Sequence, residues 1–315
     1  MLRAADRAAS RTAYIFPGQG SQMAGMGKDL YQASGAAQAV FREADEVLGF
    51  SLSSLCFEGS EDELRETVNA QPALLATSVA VLEAIGEAAG GRPPVARFVA
   101  GHSVGEYAAL VAAGALPFAQ ALRLVRERGR LMQYAGQVRP GSMAAILGLD
   151  VASVEQLCQQ TGAEVANINC DGQIVISGPR HALVRAIDLS RALGAKKAVP
   201  LMVSGAFHSS LMRPAIPGMA AALDGASFQA PEVPIISNRT AEPLRRAEDL
   251  REELVEQICS CVRWSDSVEY MAANGVSTFV EVGPGKVLSG LVKRISRDAE
   301  ALSVSDVASL RGFTA

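Results

Sequence analysis

At 315 residues, nearly half of them apolar and 5% aromatic, the chain can bury a large core as one domain or two, and its abundant Ala and Gly suit a helix-rich α/β enzyme better than a β-sandwich. A formal charge of −4 argues against a nucleic-acid-binding surface or a polybasic membrane anchor. Cys56, Cys158, Cys170, Cys259 and Cys261 form an odd set with no C-x-x-C pair, which favours neither a disulfide framework nor a zinc site and points to a reducing cytoplasm.

No apolar run reads as a membrane span. The first eleven residues carry Arg3, Asp6, Arg7 and Arg11 without the apolar core of a signal peptide, so they read as a loose leader. The first strand is predicted over residues 13–16, followed by Pro17-Gly18-Gln19-Gly20-Ser21-Gln22. Met23 stands where G-x-G-x-x-G needs its third glycine, and Gly20 and Gly25 have the Walker spacing but precede Met26 instead of lysine. Nucleotide binding is therefore not expected. What remains is a turn able to present main-chain N–H groups and the Gln19 amide at the end of a central strand. Residues 29–91 read as helices packed around a sheet.

Residues 95–100 form an apolar run suited to a buried strand, and an Ala-rich helix begins by Val104. Between them, Gly101-His102-Ser103-Val104-Gly105 fits G-x-S-x-G, a strand-to-helix turn that holds a serine hydroxyl clear of the backbone. So short a pattern also occurs as a plain turn; the flanking strand and helix favour a nucleophile. The next helix is expected from Pro117 to about Gln137. Arg123, Arg126 and Arg130 have mainly polar neighbours at helical spacing, as on a solvated face. Arg128 instead has Leu124, Val125, Leu131 and Met132. An arginine on an apolar face must meet a ligand anion, a set of acceptors or a structural ion pair.

From about Pro140 the pattern reads as strand 143–149, helix 151–160, strands 164–170 and 173–177, helix 182–193 and strand 196–203. This βαββαβ order predicts a ferredoxin-like subdomain, residues 139–205, inserted into a large α/β-hydrolase-like catalytic domain made of residues 1–138 and 206–315. The cleft between them suits a substrate. Of the three histidines, His102 adjoins Ser103 and is expected to point elsewhere, and His181 lies in the insert. His208, where the chain returns to the large domain, is the candidate base, the alternative being an ordinary loop histidine. Beyond it come a strand at 234–237, the turn Asn238-Arg239-Thr240, a charged helix through Ser260, Val262-Arg263-Trp264, and a strand at 278–282. Gly283-Pro284-Gly285-Lys286 then leads into a helix from Val287, a turn that either holds an anion or only reverses the chain.

Pro17 to Gln22, Gly101 to Glu106, Arg128-Gly129-Arg130-Leu131-Met132, Asn167 to Gly178, Gly205-Ala206-Phe207-His208-Ser209 and Glu281 to Gly285 occur in this order. Together they make nearly the whole chain resemble malonyl-CoA:acyl carrier protein transacylases, among them the trans-acting acyltransferases of polyketide synthesis. The resemblance implies that Ser103 is the acylated nucleophile and His208 its base, oriented by backbone carbonyls without an acidic third member. It assigns an oxyanion hole to the main-chain N–H groups of Gln19 and Val104. Arg128 becomes the clamp on the malonyl carboxylate, which a planar guanidinium can hold with two parallel bonds. Phe207 would crowd an α-methyl branch. Arg263 stands where the family often has a glutamine whose carbonyl accepts the histidine N–H, so its carbonyl is expected to orient His208.

The same resemblance implies ping-pong transfer from malonyl-CoA to the phosphopantetheine thiol of acyl carrier protein, with no metal and no organic cofactor, by a cytoplasmic monomer. Carrier proteins are acidic, so Lys196, Lys197, Lys286, Lys293 and Arg294 are candidates for a docking patch or, equally, a solvated face. The rivals are a serine hydrolase acting on acyl thioesters and a catalytically silent carrier-protein binding module. Arg128 argues against the first, and the intact set of Ser103, His208, Gln19 and Arg128 against the second.

Overall fold

In the computed structural model, which describes residues 10–314, the central strands are stretches without a polar face. Strands β1 (Thr12–Phe16), β2 (Phe98–Gly101) and β9 (Thr278–Val282) are buried along nearly their whole length. Runs apolar on both faces suit a parallel sheet covered on both sides. These three pair in parallel within a six-stranded sheet, together with β10 (Glu300–Val304), β7 (Ile235–Ile236) and β8 (Pro243–Leu244). The order is β10-β9-β1-β2-β7-β8, and only β8 runs antiparallel to its neighbour. From β1 the chain builds outward through β2 and β7, then returns to the other side of β1 with β9. Crevices for ligands open at the C-terminal ends of strands where the order reverses in this way. Phe16 is in register with Gly101, so the turns that follow β1 and β2 leave the sheet side by side.

A second, four-stranded antiparallel sheet contains β3 (Ser142–Leu147), β4 (Glu164–Cys170), β5 (Gln173–Gly178) and β6 (Lys197–Pro200) in the order β4-β5-β3-β6. With helices Val151–Thr161 and Arg180–Ala192 the elements follow the expected βαββαβ sequence. Strand alternation gives this sheet two different faces. Ala144, Ile146, Ile174 and Ile176 pack with Val154, Leu157, Leu183 and Ala186 of the two helices. Met143, Ala145, Gln173 and Val175, one residue out of phase, line a cavity against the large sheet. Edge strand β4 is tied to the rest of the molecule at Val262, whose N–H donates to the Ala166 carbonyl at 2.8 Å and whose carbonyl accepts from Ile168 at 2.9 Å.

Within residues 29–91, read as helices, Thr67–Ala88 forms one continuous helix. It reaches the length and composition of a membrane span, yet it is mostly buried inside the molecule. Pro72 within it has no N–H for the Val68 carbonyl, and Arg126 Nη1 donates to that oxygen at 2.6 Å. Arg126 is thus half-buried rather than solvated as its polar neighbours suggest. Strand β10 and the helices Ile216–Asp224, Trp264–Ala273 and Val307–Thr314 have no counterpart in the sequence reading. Of the leader expected over the first eleven residues, residues 1–9 lie outside the described residues.

Candidate active site

Strand β2 ends at Gly101 and the helix Gly105–Ala112 begins four positions later. Ser103 between them has φ 52°, a left-handed conformation that costs a residue other than glycine about 1–3 kcal/mol unless its surroundings impose it. The turn is also pressed against its neighbours. A Cβ on Gly105 would lie 2.2 Å from the Phe16 carbonyl oxygen, and one on Gly18 would lie 2.5 Å from that of His102. Only glycine permits such contact, and it brings the Gln19 loop alongside the serine.

Asn238, at the end of β7, restrains the turn. Its Oδ1 accepts from Ser103 N–H at 2.7 Å and its Nδ2 donates to the Gly101 carbonyl at 2.7 Å. From the other side, Gln257 Nε2 donates to the Ser103 carbonyl at 3.0 Å. The serine main chain is therefore held at both its donor and its acceptor.

His208, with φ 56°, lies between β6 and a 3-10 turn at Ser210–Ala215. Its Nε2 is 2.7 Å from Ser103 Oγ, and its Nδ1 is 3.0 Å from the Gln257 carbonyl and 3.1 Å from that of Ser260. Carbonyls only accept, so Nδ1 carries the ring proton and Nε2 turns its lone pair to the hydroxyl. Burial, then the positive charge of Arg128, push the His208 pKa down to about 3, against the pull of the two carbonyls. The ring is a neutral base at physiological pH.

The carbonyl expected to orient His208, that of Arg263, does not do so. Arg263 caps the helix Trp264–Ala273, and its carbonyl accepts from Ser267 N–H at 3.0 Å and Ser267 Oγ at 2.9 Å. Its guanidinium pairs with Asp266 at 2.6 Å. A carbonyl at a helix N-cap is taken up by the helix it opens. The 3-10 turn Gln257–Cys259, just upstream, instead directs the Gln257 and Ser260 carbonyls to the ring.

Arg128 is 1% exposed. Its Nη1 donates to Gln71 Oε1 at 2.8 Å, and its Nη2 to Gln257 Oε1 at 2.8 Å and Ser103 Oγ at 3.2 Å. No carboxylate pairs with it among the described residues. Of the readings open from sequence, the structural ion pair is not formed: two neutral amide oxygens aim the cation, and its charge faces the cavity beside the serine.

Gln19, Ser103, Val104, Arg128, Phe207 and His208 all line this one cavity, of about 570 Å³, while Arg263 does not. The main-chain N–H groups of Gln19 and Val104 are engaged by none of the turn hydrogen bonds in the described residues. Val104 opens a helix, where N–H groups have no intrahelical partner and can serve an anion. The Phe207 carbonyl accepts from Ser177 Oγ at 2.5 Å, fixing the ring's backbone next to His208. Exposed Met23, Met202 and Val287 also line the cavity. His102 also borders the cavity but is engaged elsewhere than Ser103, with Nε2 3.0 Å from Asn169 Oδ1 and its ring against Trp264. His181 is exposed on the helix Arg180–Ala192.

Sequence reasoning missed Gln71, Asn238 and Gln257. Asn238 follows a strand directly, as a residue at a strand's C-terminal end above the sheet does, and that position was its one signal. Gln71 and Gln257 carry none, because nothing in their local pattern distinguishes a buried amide from a surface one.

A serine, a neutral base, two free N–H groups and an unpaired buried cation can form and break an acyl-serine ester on a substrate with an anionic far end. The chain belongs to the acyl transferase domain family, which matches residues 13–311. It is 50% identical over 302 residues to the malonyl CoA-acyl carrier protein transacylase of Bacillus subtilis (strain 168), covering 94% of each chain. The solved acyl carrier protein S-malonyltransferase of Vibrio cholerae superposes with a TM-score of 0.92 at 42% identity, over 96% of this chain and all of that one. A malonyl-transacylase solved in complex with a type II polyketide synthase acyl-carrier protein gives 0.91 at 43% identity, over 96% and 98% of the two chains.

Proposed function

We propose that this enzyme transfers a malonyl group from malonyl-CoA to the phosphopantetheine thiol of acyl carrier protein through a malonyl-Ser103 intermediate. The observation that carries the reading is Arg128: a buried guanidinium 3.2 Å from the nucleophile, held by amides and, among the described residues, left without a carboxylate. The substrate's free carboxylate supplies the missing anion, and a neutral acyl chain has no use for such a clamp.

His208 takes the Ser103 proton as Oγ attacks the thioester carbon. The N–H groups of Gln19 and Val104 hold the oxyanion, each such donor contributing roughly 3 kcal/mol. The C–S bond breaks, and coenzyme A leaves as a thiol with the proton from His208. The carrier thiol then enters and gives its proton to His208, its sulfur attacks the malonyl ester, and Ser103 leaves with that proton. Serine, imidazole and main-chain donors supply nucleophile, base and oxyanion stabilisation, so the scheme calls on no metal and no organic cofactor. Phe207, beside His208 in the cavity, excludes an α-branched acyl unit.

In this reading residues 139–205 are a ferredoxin-like insert in a hydrolase-like domain of residues 1–138 and 206–315, an assignment supported by the antiparallel sheet and its βαββαβ order. The acidic carrier protein docks on Lys196, Lys197, Lys286, Lys293 and Arg294, all exposed and without an ion-pair partner among the described residues, whereas Arg65, Arg130, Arg246 and Arg263 each have one. The enzyme works as a monomer in the cytoplasm, consistent with five free cysteines. The test is intact mass after brief exposure to malonyl-CoA, with Ser103→Ala in parallel. The expected result is a malonyl increment on the wild type alone, removed by holo carrier protein. Free malonate accumulating without an increment would make the enzyme a hydrolase and overturn the proposal.

A further inference from the structure

Glu106 is the one acidic residue of the helix Gly105–Ala112, and it is 1% exposed without lining the cavity. Its Oε1 accepts from Asn238 N–H at 3.1 Å and its Oε2 from Gln257 Nε2. Among the described residues no cation lies within ion-pair distance of it. Burial, then the nearby Glu253, push its carboxyl well above the usual range, while these two donors and the charge of Arg128 draw it down. A group so costly to bury, three residues from the nucleophile, calls for a role.

That role follows from the Gln257 amide. Its oxygen must face Arg128 Nη2, at 2.8 Å, and its nitrogen faces both the Ser103 carbonyl, at 3.0 Å, and Glu106. An amide rotated by half a turn would set its NH₂ against the guanidinium, donor to donor, and the cation would lose one of its two aiming contacts. A carboxyl oxygen accepts and an amide nitrogen does not, so Glu106 makes one orientation of Gln257 strongly preferred. Through the N–H of Asn238 it also holds the residue that restrains the Ser103 turn.

Resting on the transacylase reading, we propose that Glu106 is a positioning residue for acyl selectivity, which fixes the Gln257 amide with its oxygen toward Arg128 and so keeps the guanidinium aimed at the substrate carboxylate. Glu106→Gln is nearly isosteric yet cannot satisfy both contacts, since one of them becomes donor against donor.

The test compares kcat/KM for acyl-enzyme formation from malonyl-CoA and from acetyl-CoA, whose acyl group carries no charge. Glu106→Gln is expected to lower the malonyl-over-acetyl preference at least tenfold, chiefly through KM for malonyl-CoA. In an Arg128→Ala background the same change should alter the preference less than twofold. A merely structural role would lower both substrates together, and that result in folded protein overturns the inference. If Glu106→Gln does not fold, Gln257→Leu decides by the same comparison, because it removes the amide and keeps the main-chain carbonyl on His208. Wild-type protein that forms no malonyl-enzyme overturns the transacylase reading and this inference with it; malonyl-enzyme in both proteins with unchanged preference overturns this inference alone.

Discussion

Replacing Arg128 by lysine keeps the charge and removes the fork. In the resting site one N–H of Nη1 is given to Gln71 and one of Nη2 to Gln257, each at 2.8 Å. The second N–H on each nitrogen remains, that of Nη2 reaching Ser103 Oγ at 3.2 Å. These two can meet a carboxylate side by side. An ammonium has three donors in all, so after serving both glutamines it has one left for the substrate. The loss is one charge-assisted hydrogen bond, about 1.5–3 kcal/mol, and at about 1.4 kcal/mol per decade kcat/KM for malonyl-CoA should fall roughly 10- to 150-fold. Acetyl-CoA has no carboxylate and loses none of this. Rapid-quench measurement of acyl-enzyme formation from both substrates makes the comparison. A malonyl-CoA rate within threefold of wild type, or an equal fall for acetyl-CoA, would refute the carboxylate clamp.

The remaining predictions concern the base and the restrained turn. His208 in the folded chain has a pKa of about 3, below the unfolded value of about 6.5. As pH falls below about 6.5 the unfolded chain takes up a proton that the folded chain refuses. The associated stability is complete above about pH 6.5 and declines toward pH 3, by about 5 kcal/mol at about 1.4 kcal/mol per unit. Chemical denaturation from pH 7 to 4 should therefore show a steeper loss for wild type than for His208→Gln, and equal slopes would contradict the buried neutral ring. For the same reason kcat/KM should be level between pH 5 and 7; an acidic limb near the ordinary histidine value would mean the ring is solvated. Asn238→Ala leaves the Ser103 N–H and the Gly101 carbonyl without their partner. At about 1–3 kcal/mol for each unsatisfied buried group, unfolding free energy should drop by about 2–6 kcal/mol, with kcat falling more than KM. A loss below about 1 kcal/mol would show that water replaces the amide.

The sequence by itself determined the elements that carry their own punctuation. Strand Glu164–Cys170 lies between turn signals at Gly162 and Asp171-Gly172, strand Thr278–Val282 stops at Gly283, and the helix Val151–Thr161 runs from its Asp150 cap to Gly162. The elbow was legible for the same reason, since a serine between glycines at a strand-to-helix step has few conformations open to it. Strand β10 was not: it is only partly buried at the sheet edge and follows a charged stretch, so no alternation marks it. Local neighbours likewise placed Arg128 on an apolar face, and the same test applied to Glu106, in an Ala-rich helix, would have flagged a second buried charge.

What Arg128 meets there was a different question. Its partners Gln71 and Gln257 are 57 and 129 residues away, so only the packing of distant segments decided between a structural ion pair and a free cation. The carbonyl on His208 shows the same division. The family resemblance made Arg263 the expected carbonyl, but the direction a carbonyl points depends on the turn it belongs to. A 3-10 turn sends the carbonyls of Gln257 and Ser260 to the ring, and the helix that Arg263 opens takes up its own. Periodicity and turn chemistry act over a few residues and can be read along the chain; hydrogen-bond partners at a site are chosen by three-dimensional proximity, which appears only when the chain has folded.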